Sequence, residues 1–413
     1  MTLLAERSQQ LPSRWRTVVR LILVFVLLYV FLGGMGMMGH GLKALGKNPD
    51  FDTSQPVSEV NQPYRDVVYD IFSYADNPLV GLFVGILATS IFQSSSFTTS
   101  FAVSLVVTTP LTLHQAIFIV MGANIGTSVT GVGVSFAHVR RPDEFARAYG
   151  AATVHDFFKT LTVLVFFPLE WIVWRMTGTG VLEWSGSTLA AVFSGGTLSG
   201  RNPTSPMREA LKPVVNAAEW LLKDGLSLSN VPTNVILGVL GVVLLFVALI
   251  FLTLVLRNLV VQRVERFFDQ VLFRNDAVAF VVGLVLTAVI QSSSVTTSLV
   301  VPLAGAGLLN VRQILPYTLG AAIGTTVTAL LASMATSADT PAQAQVGLAL
   351  AFSHMLFNVF GSAIWYPFRA VPIGVANWFG GVAARSKKQA VLRVVLFFFA
   401  LPIFVIGLCW LLK

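Results

Sequence analysis

QSSSFTTS at residues 93–100 returns as QSSSVTTS at residues 291–298, each time inside an apolar stretch. The two copies are 198 positions apart (291 − 93), and the same offset aligns GANIGTSVT at residues 122–130 with GAAIGTTVT at residues 320–328. Self-similarity at a fixed offset is a property of the whole fold. It indicates that one half of this protein is a duplicate of the other.

The repeat extends to a histidine-containing word in each half. HDFFK at residues 155–159 aligns with HMLFN at residues 354–358 at an offset of 199 (354 − 155), which indicates one additional residue in a loop. Only two copies of the pattern exist. The repeat is therefore a duplicated half protein and not a solenoid.

Composition places the chain among integral membrane proteins. Of its 413 residues, 55% are hydrophobic and 11% are charged, and the mean hydropathy is +0.76. The single Cys409 excludes an internal disulfide and a cysteine-based metal site. The net charge of +8 does not predict nucleic-acid binding, because the Lys and Arg residues are scattered between apolar runs and have the distribution of topology signals.

Several apolar runs are long enough to cross a bilayer, which needs about 20 residues. These runs are residues 17–39, 113–137, 148–174, 233–256, 314–333, 346–367 and 391–412. The first run is too long for a signal peptide and lacks a small-residue cleavage site. The spacing of apolar residues at 64–74 predicts a short helix in the membrane interface, and residues 257–275 have amphipathic helical spacing.

Two further apolar runs, residues 79–107 and 277–303, are interrupted near their centres by QSSS. As straight helices they would place a run of polar groups in mid-membrane. A re-entrant hairpin instead returns to its own side, and its non-helical turn is tolerated because it lines a polar cavity inside the protein. Each half then crosses the membrane three times. An odd number of crossings makes the second half inverted relative to the first.

The distribution of basic residues agrees with this inverted topology. With the N-terminus in the cytoplasm, the basic segments at 138–147, 257–274 and 369–388 all fall inside. The short loop at 336–344 contains no Lys or Arg and falls outside. Straight spans in place of the hairpins would give each half an even number of crossings, and this agreement would be lost.

The sequence therefore predicts an all-α integral membrane protein of two inverted repeats, each with a re-entrant helical hairpin that carries QSSS, plus a C-terminal extra helix. We expect it in the cell inner (plasma) membrane. The predicted divisions are a cytoplasmic N-terminus at 1–16, the first repeat at 17–175, a solvent-exposed extracellular or periplasmic connecting loop at 176–231, the second repeat at 232–368, and a cytoplasmic loop with the final helix at 369–413.

The QSSS hairpins contain groups that suit an oxyanion and a sodium ion together. Hydroxyl groups both donate and accept hydrogen bonds, and half-helix N-termini add backbone N–H groups. The hairpin motifs and the two GA-x-IGT words contain no Lys, Arg, Asp or Glu. Cations that enter with the anion must therefore compensate its charge, and sodium needs no buried carboxylate relay. The candidate phosphate ligands are Gln93, Ser94, Ser95, Ser96, Gln291, Ser292, Ser293 and Ser294.

These motifs, together with TVHDFF and with HMLFN followed by WYP, resemble the sodium-dependent phosphate cotransporter family that includes the type II renal and intestinal carriers. The resemblance covers residues 77–367. It implies a non-enzymatic, sodium-coupled inward symport of inorganic phosphate by alternating access, with no cofactor beyond co-transported Na⁺ and with phosphate on the paired QSSS hairpins. It also implies sodium ligands at Gln93, Thr98, Thr99, Asn124, Thr127, Gln291, Thr296, Thr297 and Thr325.

Three positions bear on the number of ions. Lys159 stands where the family's first-half motif usually ends in Asn, and Ala322 stands where the first half of this chain has Asn124. We therefore expect the two halves to hold different sets of ions. Arg141 aligns with an acidic residue of the electrogenic family members, which predicts electroneutral transport with two sodium ions per divalent phosphate.

Other functions and roles stay open at this point. A carrier of another tetrahedral oxyanion, such as arsenate or sulfate, and an uncoupled anion channel both fit the motifs, and the oligomeric state, a dimer included, is undetermined. A serine hydrolase does not fit, because no nucleophile elbow precedes the serines. His155 and His354 also suit hydrogen bonds within the bundle. The glycines spaced as in 122–126 and 320–324 also suit close helix packing.

Overall fold

The computed structural model describes residues 13–46, 74–194, 206–268, 275–336, 338 and 340–412. All regular structure within these ranges is helical. By length and composition, seven helices of this part of the chain can cross a membrane, and each apolar run predicted to span falls on one of them. They are Val18–Leu42, Leu113–His138, Pro142–Thr177, Pro232–Arg257, Val311–Ala335, Pro341–Trp365 and Lys387–Leu411.

The helices are numbered in chain order. Those of the first half and the segment after it are α1 (Ser13–Gly46), α2 (Pro78–Phe92), α3 (Ser95–Thr108), α4 (Leu113–Gly126), α5 (Ser128–Ser135), α6 (Pro142–Thr177), α7 (Val181–Phe193) and α8 (Pro206–Trp220). The later ones are α9 (Asn230–Phe268), α10 (Asp276–Ile290), α11 (Ser293–Ser298), α12 (Val301–Gly305), α13 (Val311–Gly324), α14 (Thr326–Ala335), α15 (Pro341–Trp365), α16 (Ala370–Arg385), α17 (Lys387–Val395) and α18 (Leu401–Leu411).

Helices α2 and α4 run parallel in close contact. A Cβ atom on Gly122 would lie 1.9 Å from the carbonyl oxygen of Leu82, and a Cβ atom on Gly126 would lie 2.6 Å from that of Ile86. Each contact is followed by another four residues later on both helices, so the two helices point the same way. Only glycine permits this approach. The packing role considered for these glycines is therefore confirmed.

Helix α3 contacts both helices of this pair. It connects the end of α2 to the start of α4, and Gln115 at the start of α4 donates a hydrogen bond to Asp76, which lies two residues before α2. The chain turns at Gln93, whose φ of 53° and ψ of 29° are left-handed and uncommon for a residue other than glycine. Ser94 then caps α3, because its hydroxyl oxygen accepts a hydrogen bond from the backbone N–H of Phe97 at 3.1 Å.

The second half repeats this local arrangement. A Cβ atom on Gly320 of α13 would lie 1.9 Å from the carbonyl oxygen of Phe280 in α10, and one on Gly324 would lie 2.3 Å from that of Leu284. Gln291 is left-handed with a φ of 61°, and the residue after it is extended and caps α11. The sequence repeat is therefore also a repeat of backbone conformation.

Residues 176–231 contain helices, so the prediction of a solvent-exposed connecting loop is wrong for the described part of this segment. Helix α7 packs along α15, where a Cβ atom on Gly186 would lie 2.1 Å from Ser353 Oγ. Helix α8 continues as a π-helical turn over Leu221–Gly225. The Gly, Ser and Thr content that suggested a loop instead allows a close helix contact.

Residues 370–385 also form a helix where a cytoplasmic loop was predicted. A Cβ atom on Gly380 of α16 would lie 2.4 Å from the carbonyl oxygen of Ala146 in α6. Helix α7 follows the long helix α6 of the first half and packs on α15 of the second half. Helix α16 follows α15 and packs on α6. The hydropathy argument did not identify this helix, because small residues form its contact with α6.

The outer part of the bundle is formed by α1 and α9, which pack against each other in antiparallel fashion. A Cβ atom on Gly34 would lie 2.7 Å from Leu245 N, and one on Gly41 would lie 2.5 Å from Gly238 N. The final helix α18 packs on α2. The amphipathic segment predicted at 257–275 continues α9 as far as Phe268, and the interfacial helix predicted at 64–74 lies outside the described residues except for Tyr74.

Candidate functional site

The two QSSS turns are in direct contact. Helix α3 packs against α14 of the second half, and α11 packs against α5 of the first. The hydroxyl group of Ser96 donates to the main-chain oxygen of Gln291 at 3.1 Å, and the hydroxyl oxygen of Thr328 lies 3.4 Å from that of Ser96. Fold and cross-packing therefore bring the duplicated motifs to one place in the bundle.

Each glutamine side chain accepts a hydrogen bond from the second part of a broken helix in the same half, the first of these helices being α4–α5 and the second α13–α14. Thr130 on α5 donates to Gln93 Oε1 at 2.7 Å, and Thr328 on α14 donates to Gln291 Oε1 at 2.6 Å. In both copies the amide nitrogen donates to the carbonyl oxygen of the residue three positions earlier. The two threonines were not predicted as site residues, although Thr130 ends GANIGTSVT and Thr328 ends GAAIGTTVT at the offset of 198.

The serine hydroxyl groups at the second and third positions of each triplet are buried. These are Ser95, Ser96, Ser293 and Ser294. Ser293 Oγ has no hydrogen-bond partner in the described part of the chain. A buried hydroxyl group without a partner is unfavourable, so this group is available to a ligand. The first serines of the triplets, Ser94 and Ser292, are half-buried helix caps.

The threonines predicted as sodium ligands share one hydrogen-bond pattern. Each donates its hydroxyl proton to the main-chain carbonyl oxygen four residues earlier in its own helix. The donors and their distances are Thr98 (3.2 Å), Thr99 (2.9 Å), Thr127 (3.4 Å), Thr296 (3.0 Å), Thr297 (2.8 Å) and Thr325 (3.1 Å). A hydroxyl group that has committed its proton presents only lone pairs outward, which favours a cation over an oxyanion.

The two halves of the site differ in exposure. Gln93 is exposed, whereas Gln291 is buried with 7% of its surface accessible. The hydrogen bond to the glutamine is therefore closer to the protein surface in the first half than in the second.

Asn124, another predicted sodium ligand, lies in a separate buried cluster. Its Nδ2 donates to the carbonyl oxygen of Val120 at 2.9 Å, and its Oδ1 accepts a hydrogen bond from Lys159 Nζ at 2.8 Å. His354 Nε2 lies 3.4 Å from the same oxygen. Lys159 is 1% exposed. The lysine noted as a departure from the family pattern thus contacts a predicted ion ligand directly, which the sequence did not indicate.

Arg141, which supported the expectation of electroneutral transport, lies at the surface. Its side chain is 77% exposed and pairs with Glu144 at 2.7 Å. The hydrogen bond to that carboxylate raises the pKa of the Arg141 guanidinium above its usual value. The basic side chain that is buried beside a predicted sodium ligand is Lys159 and not Arg141.

One group of His and Glu side chains could hold a metal ion by composition. The candidate ligand atoms of His114, Glu170 and Glu183 lie within 4.8 Å of one another. Both oxygens of Glu170 are already engaged, since they accept the backbone N–H groups of Leu182 at 2.7 Å and Glu183 at 3.0 Å. His114 also stacks on Trp174 with ring centroids 4.2 Å apart. This group fastens the start of α7 to α6.

Discontinuous helices that meet at a cluster of buried hydroxyl groups are typical of membrane transport proteins. The comparison with known families agrees with this class. The Na⁺/Pi-cotransporter family model matches residues 64–185 and 244–411, and the chain belongs to this family of multi-pass membrane proteins. The resemblance inferred from the motifs is therefore confirmed.

Curated relatives cover most of this chain. Sodium-dependent phosphate transport protein 2B of Homo sapiens is 28% identical over 469 residues, which cover 94% of this chain and 65% of that protein. Transport protein 2A of Ovis aries is 30% identical over 463 residues, which cover 97% of this chain and 69% of that protein. Transport protein 2A of Mus musculus is 30% identical with the same coverage. The chain thus spans about two thirds of its relatives' length, and no solved structure matches it.

Proposed function

We propose that this protein is a secondary active transporter that carries inorganic phosphate into the cell together with sodium ions. The observation that carries the proposal is the contact between the two QSSS turns, through Ser96, Gln291 and Thr328. The names of the relatives support both the anion and the coupling ion. Seven candidate spans support a location in the cell inner membrane, with the N-terminus in the cytoplasm by the positive-inside rule.

Phosphate is held by the amide groups of Gln93 and Gln291 and by the serines that follow them. The buried Ser293 hydroxyl group supports this assignment, because it retains its proton for an anion. The N-terminus of α3 adds backbone N–H groups on the first-half side. The serines assigned to phosphate are Ser94, Ser95, Ser96, Ser292, Ser293 and Ser294, of which Ser96 must redirect its proton from the main-chain oxygen of Gln291 to donate to the anion.

Sodium is held by oxygen atoms whose protons are committed elsewhere. Such oxygens belong to the back-bonded hydroxyl groups of Thr98, Thr99, Thr127, Thr296, Thr297 and Thr325. The amide oxygens of Gln93 and Gln291 carry no proton and serve in the same way. Oxygen ligands without a formal charge suit an alkali cation. The positive charge of the bound sodium ions offsets the negative charge of the phosphate.

The two halves form inverted repeats, and the QSSS turns are the tips of re-entrant hairpins. The parallel packing of α2 on α4 and of α10 on α13 supports this topology, because α3 and the α11–α12 segment must then return to the side from which each hairpin started. Non-helical backbone is tolerated at these tips where the protein and a polar cavity surround them. Each half then crosses three times, which inverts the second half.

Transport proceeds by alternating access, with the hairpins and broken helices moving as one body against the remaining helices. The bonds from Thr130 to Gln93 and from Thr328 to Gln291 support a shared motion of hairpin and broken helix. Phe97 on α3 faces Phe246 on α9, with ring centroids 5.3 Å apart, at the boundary between the two bodies.

A crosslink tests this motion. In a variant with Cys409→Ser, Phe97→Cys and Phe246→Cys, a disulfide between positions 97 and 246 is expected to stop uptake until the disulfide is reduced. Full uptake by the crosslinked protein would contradict this motion.

The decisive experiment is uptake of radiolabelled phosphate into proteoliposomes with and without an inward sodium gradient. We expect uptake to require the gradient, whereas an uncoupled channel would equilibrate phosphate without it. Competition by arsenate or sulfate tests the identity of the anion. Gln93→Ala and Gln291→Ala are each expected to abolish uptake while the proteins elute as folded monodisperse material. Near-normal uptake by either variant at low phosphate would refute the shared site.

A further inference from the structure

We propose that the amino group of Lys159 occupies a cation site of this transporter and takes the place of one sodium ion. Fewer sodium ions then accompany each phosphate than the number of oxygen clusters would allow. This inference rests on the function proposed above and specifies its ion count. It concerns the cluster around Asn124, which is distinct from the serine triplets.

The first observation is the contact itself. Asn124 is fully buried, and its Nδ2 is bonded to the carbonyl oxygen of Val120, which fixes the direction of the amide oxygen. That oxygen receives the Lys159 amino group at 2.8 Å. An uncharged amide oxygen also suits a sodium ion as a ligand. The lysine amino group and a sodium ion would therefore compete for the same atom.

The second observation is the contrast with the other half. Asn358 is the counterpart of Lys159 in the repeat, and Ala322 is the counterpart of Asn124. Asn358 Nδ2 donates to the carbonyl oxygen of His354 at 2.9 Å, whereas its Oδ1 is buried and has no hydrogen-bond partner in the described part of the chain. The first half thus has the Lys159 amino group at the position where the second half has the amide oxygen of Asn358. An oxygen in that condition favours a cation.

The third observation is the balance of charge. Lys159 is 1% exposed, and a buried ammonium group requires a compensating group nearby. Asp156 is 3% exposed and lies three residues earlier on the same helix, where side chains are neighbours. A sodium ion placed beside Asn124 would meet the lysine ammonium as a like charge. The Asp156 carboxylate therefore offsets the charge of the tethered lysine cation instead of that of a sodium ion.

The test compares the ratio of ²²Na⁺ to radiolabelled phosphate influx in proteoliposomes of wild-type protein, Lys159→Asn and Arg141→Asn. Lys159→Asn installs the residue of the second half and is expected to raise the ratio by one sodium ion per phosphate. It should also increase by one the number of positive charges moved with each phosphate. Arg141→Asn removes an equal charge from the surface and is expected to keep the wild-type ratio. An active Lys159→Asn variant with the wild-type ratio would overturn the proposal, as would an increase in the ratio with Arg141→Asn.

A binding measurement covers the case in which Lys159→Asn does not transport. In detergent, without phosphate, replacing choline by sodium is expected to raise the melting temperature of Lys159→Asn more than that of the wild type. The additional rise should disappear in the double variant Asn124→Ala, Lys159→Asn. No additional rise in the inactive variant would overturn the proposal. If wild-type protein takes up no phosphate, the function proposed above fails, and this measurement still decides the role of Lys159.

Discussion

A Gly122→Ala substitution tests the contact between α2 and α4, on which the position of the first QSSS turn depends. The added Cβ atom would lie 1.9 Å from the carbonyl oxygen of Leu82 and 2.9 Å from the backbone nitrogen of Ile86. Ordinary van der Waals contact begins at 3.4 Å, and both neighbours are backbone atoms that no rotamer change can move. The two helices must therefore separate along their contact.

The magnitude follows from two opposing effects. Overpacking of a tight interface costs typically about 1–3 kcal/mol. Replacing Gly by Ala within a helix returns about 1 kcal/mol through intrinsic helix propensity. Because the clash involves backbone on both sides, we expect the upper part of the first range and a net loss of about 2 kcal/mol. In a protein of this size such a loss lowers the apparent melting temperature by a few degrees.

The assay is thermal melting of the detergent-solubilised protein, followed by size-exclusion chromatography. Gly133→Ala on α5 is the matched control, because a Cβ atom there would have no neighbour within 4 Å. It should melt at or above the wild-type temperature. Gly320→Ala, with its Cβ atom 1.9 Å from the carbonyl oxygen of Phe280, should behave like Gly122→Ala. If Gly122→Ala melts no lower than the control, the close packing is incorrect.

Four further substitutions probe the site and its support. Thr328→Val leaves the buried Gln291 Oε1 without its donor, at a cost of about 1–3 kcal/mol, and is expected to raise the phosphate KM about tenfold; an unchanged KM would argue against this bond. Ser293→Ala should raise the phosphate KM without lowering the melting temperature. Thr297→Val should mainly raise the sodium concentration that gives half-maximal uptake. If Ser293→Ala affected sodium and Thr297→Val affected phosphate, the two assigned roles would be exchanged. Glu170→Ala should lower the melting temperature by removing two backbone contacts, and an unchanged value would show that α7 is held without it.

Much of the fold follows from the distribution of apolar residues. Every predicted membrane-spanning run falls on a helix, because a bilayer sets both the length and the hydropathy of such a segment. The breaks at Gln93 and Gln291 were also predicted, since uncompensated polar groups in mid-membrane are too costly in a straight helix. Helices α7 and α16 were missed because most residues of their buried faces are small, such as Gly186 and Gly380, and a hydropathy argument does not distinguish such residues from those of a loop.

The candidate site was predicted in its residue types and only partly in its contacts. The repeat singled out the glutamines, serines and threonines, but contacts such as Ser96 with Gln291 join residues of different halves. No local pattern specifies such a pair, because it depends on how the two halves are packed. The contact of Lys159 with Asn124 likewise required the relative position of α6 and α4, although the departure at position 159 was visible in the sequence.

The exchange of terminal helices between the halves has a consequence for biosynthesis. Helix α7 leaves the ribosome well before α15, the helix on which it packs. The small residues of α7 that fit against α15 therefore have no partner while the segment between them is made. The first half reaches its final packing only after the second half has been inserted, so this protein completes its folding after translation of both halves and not one half at a time.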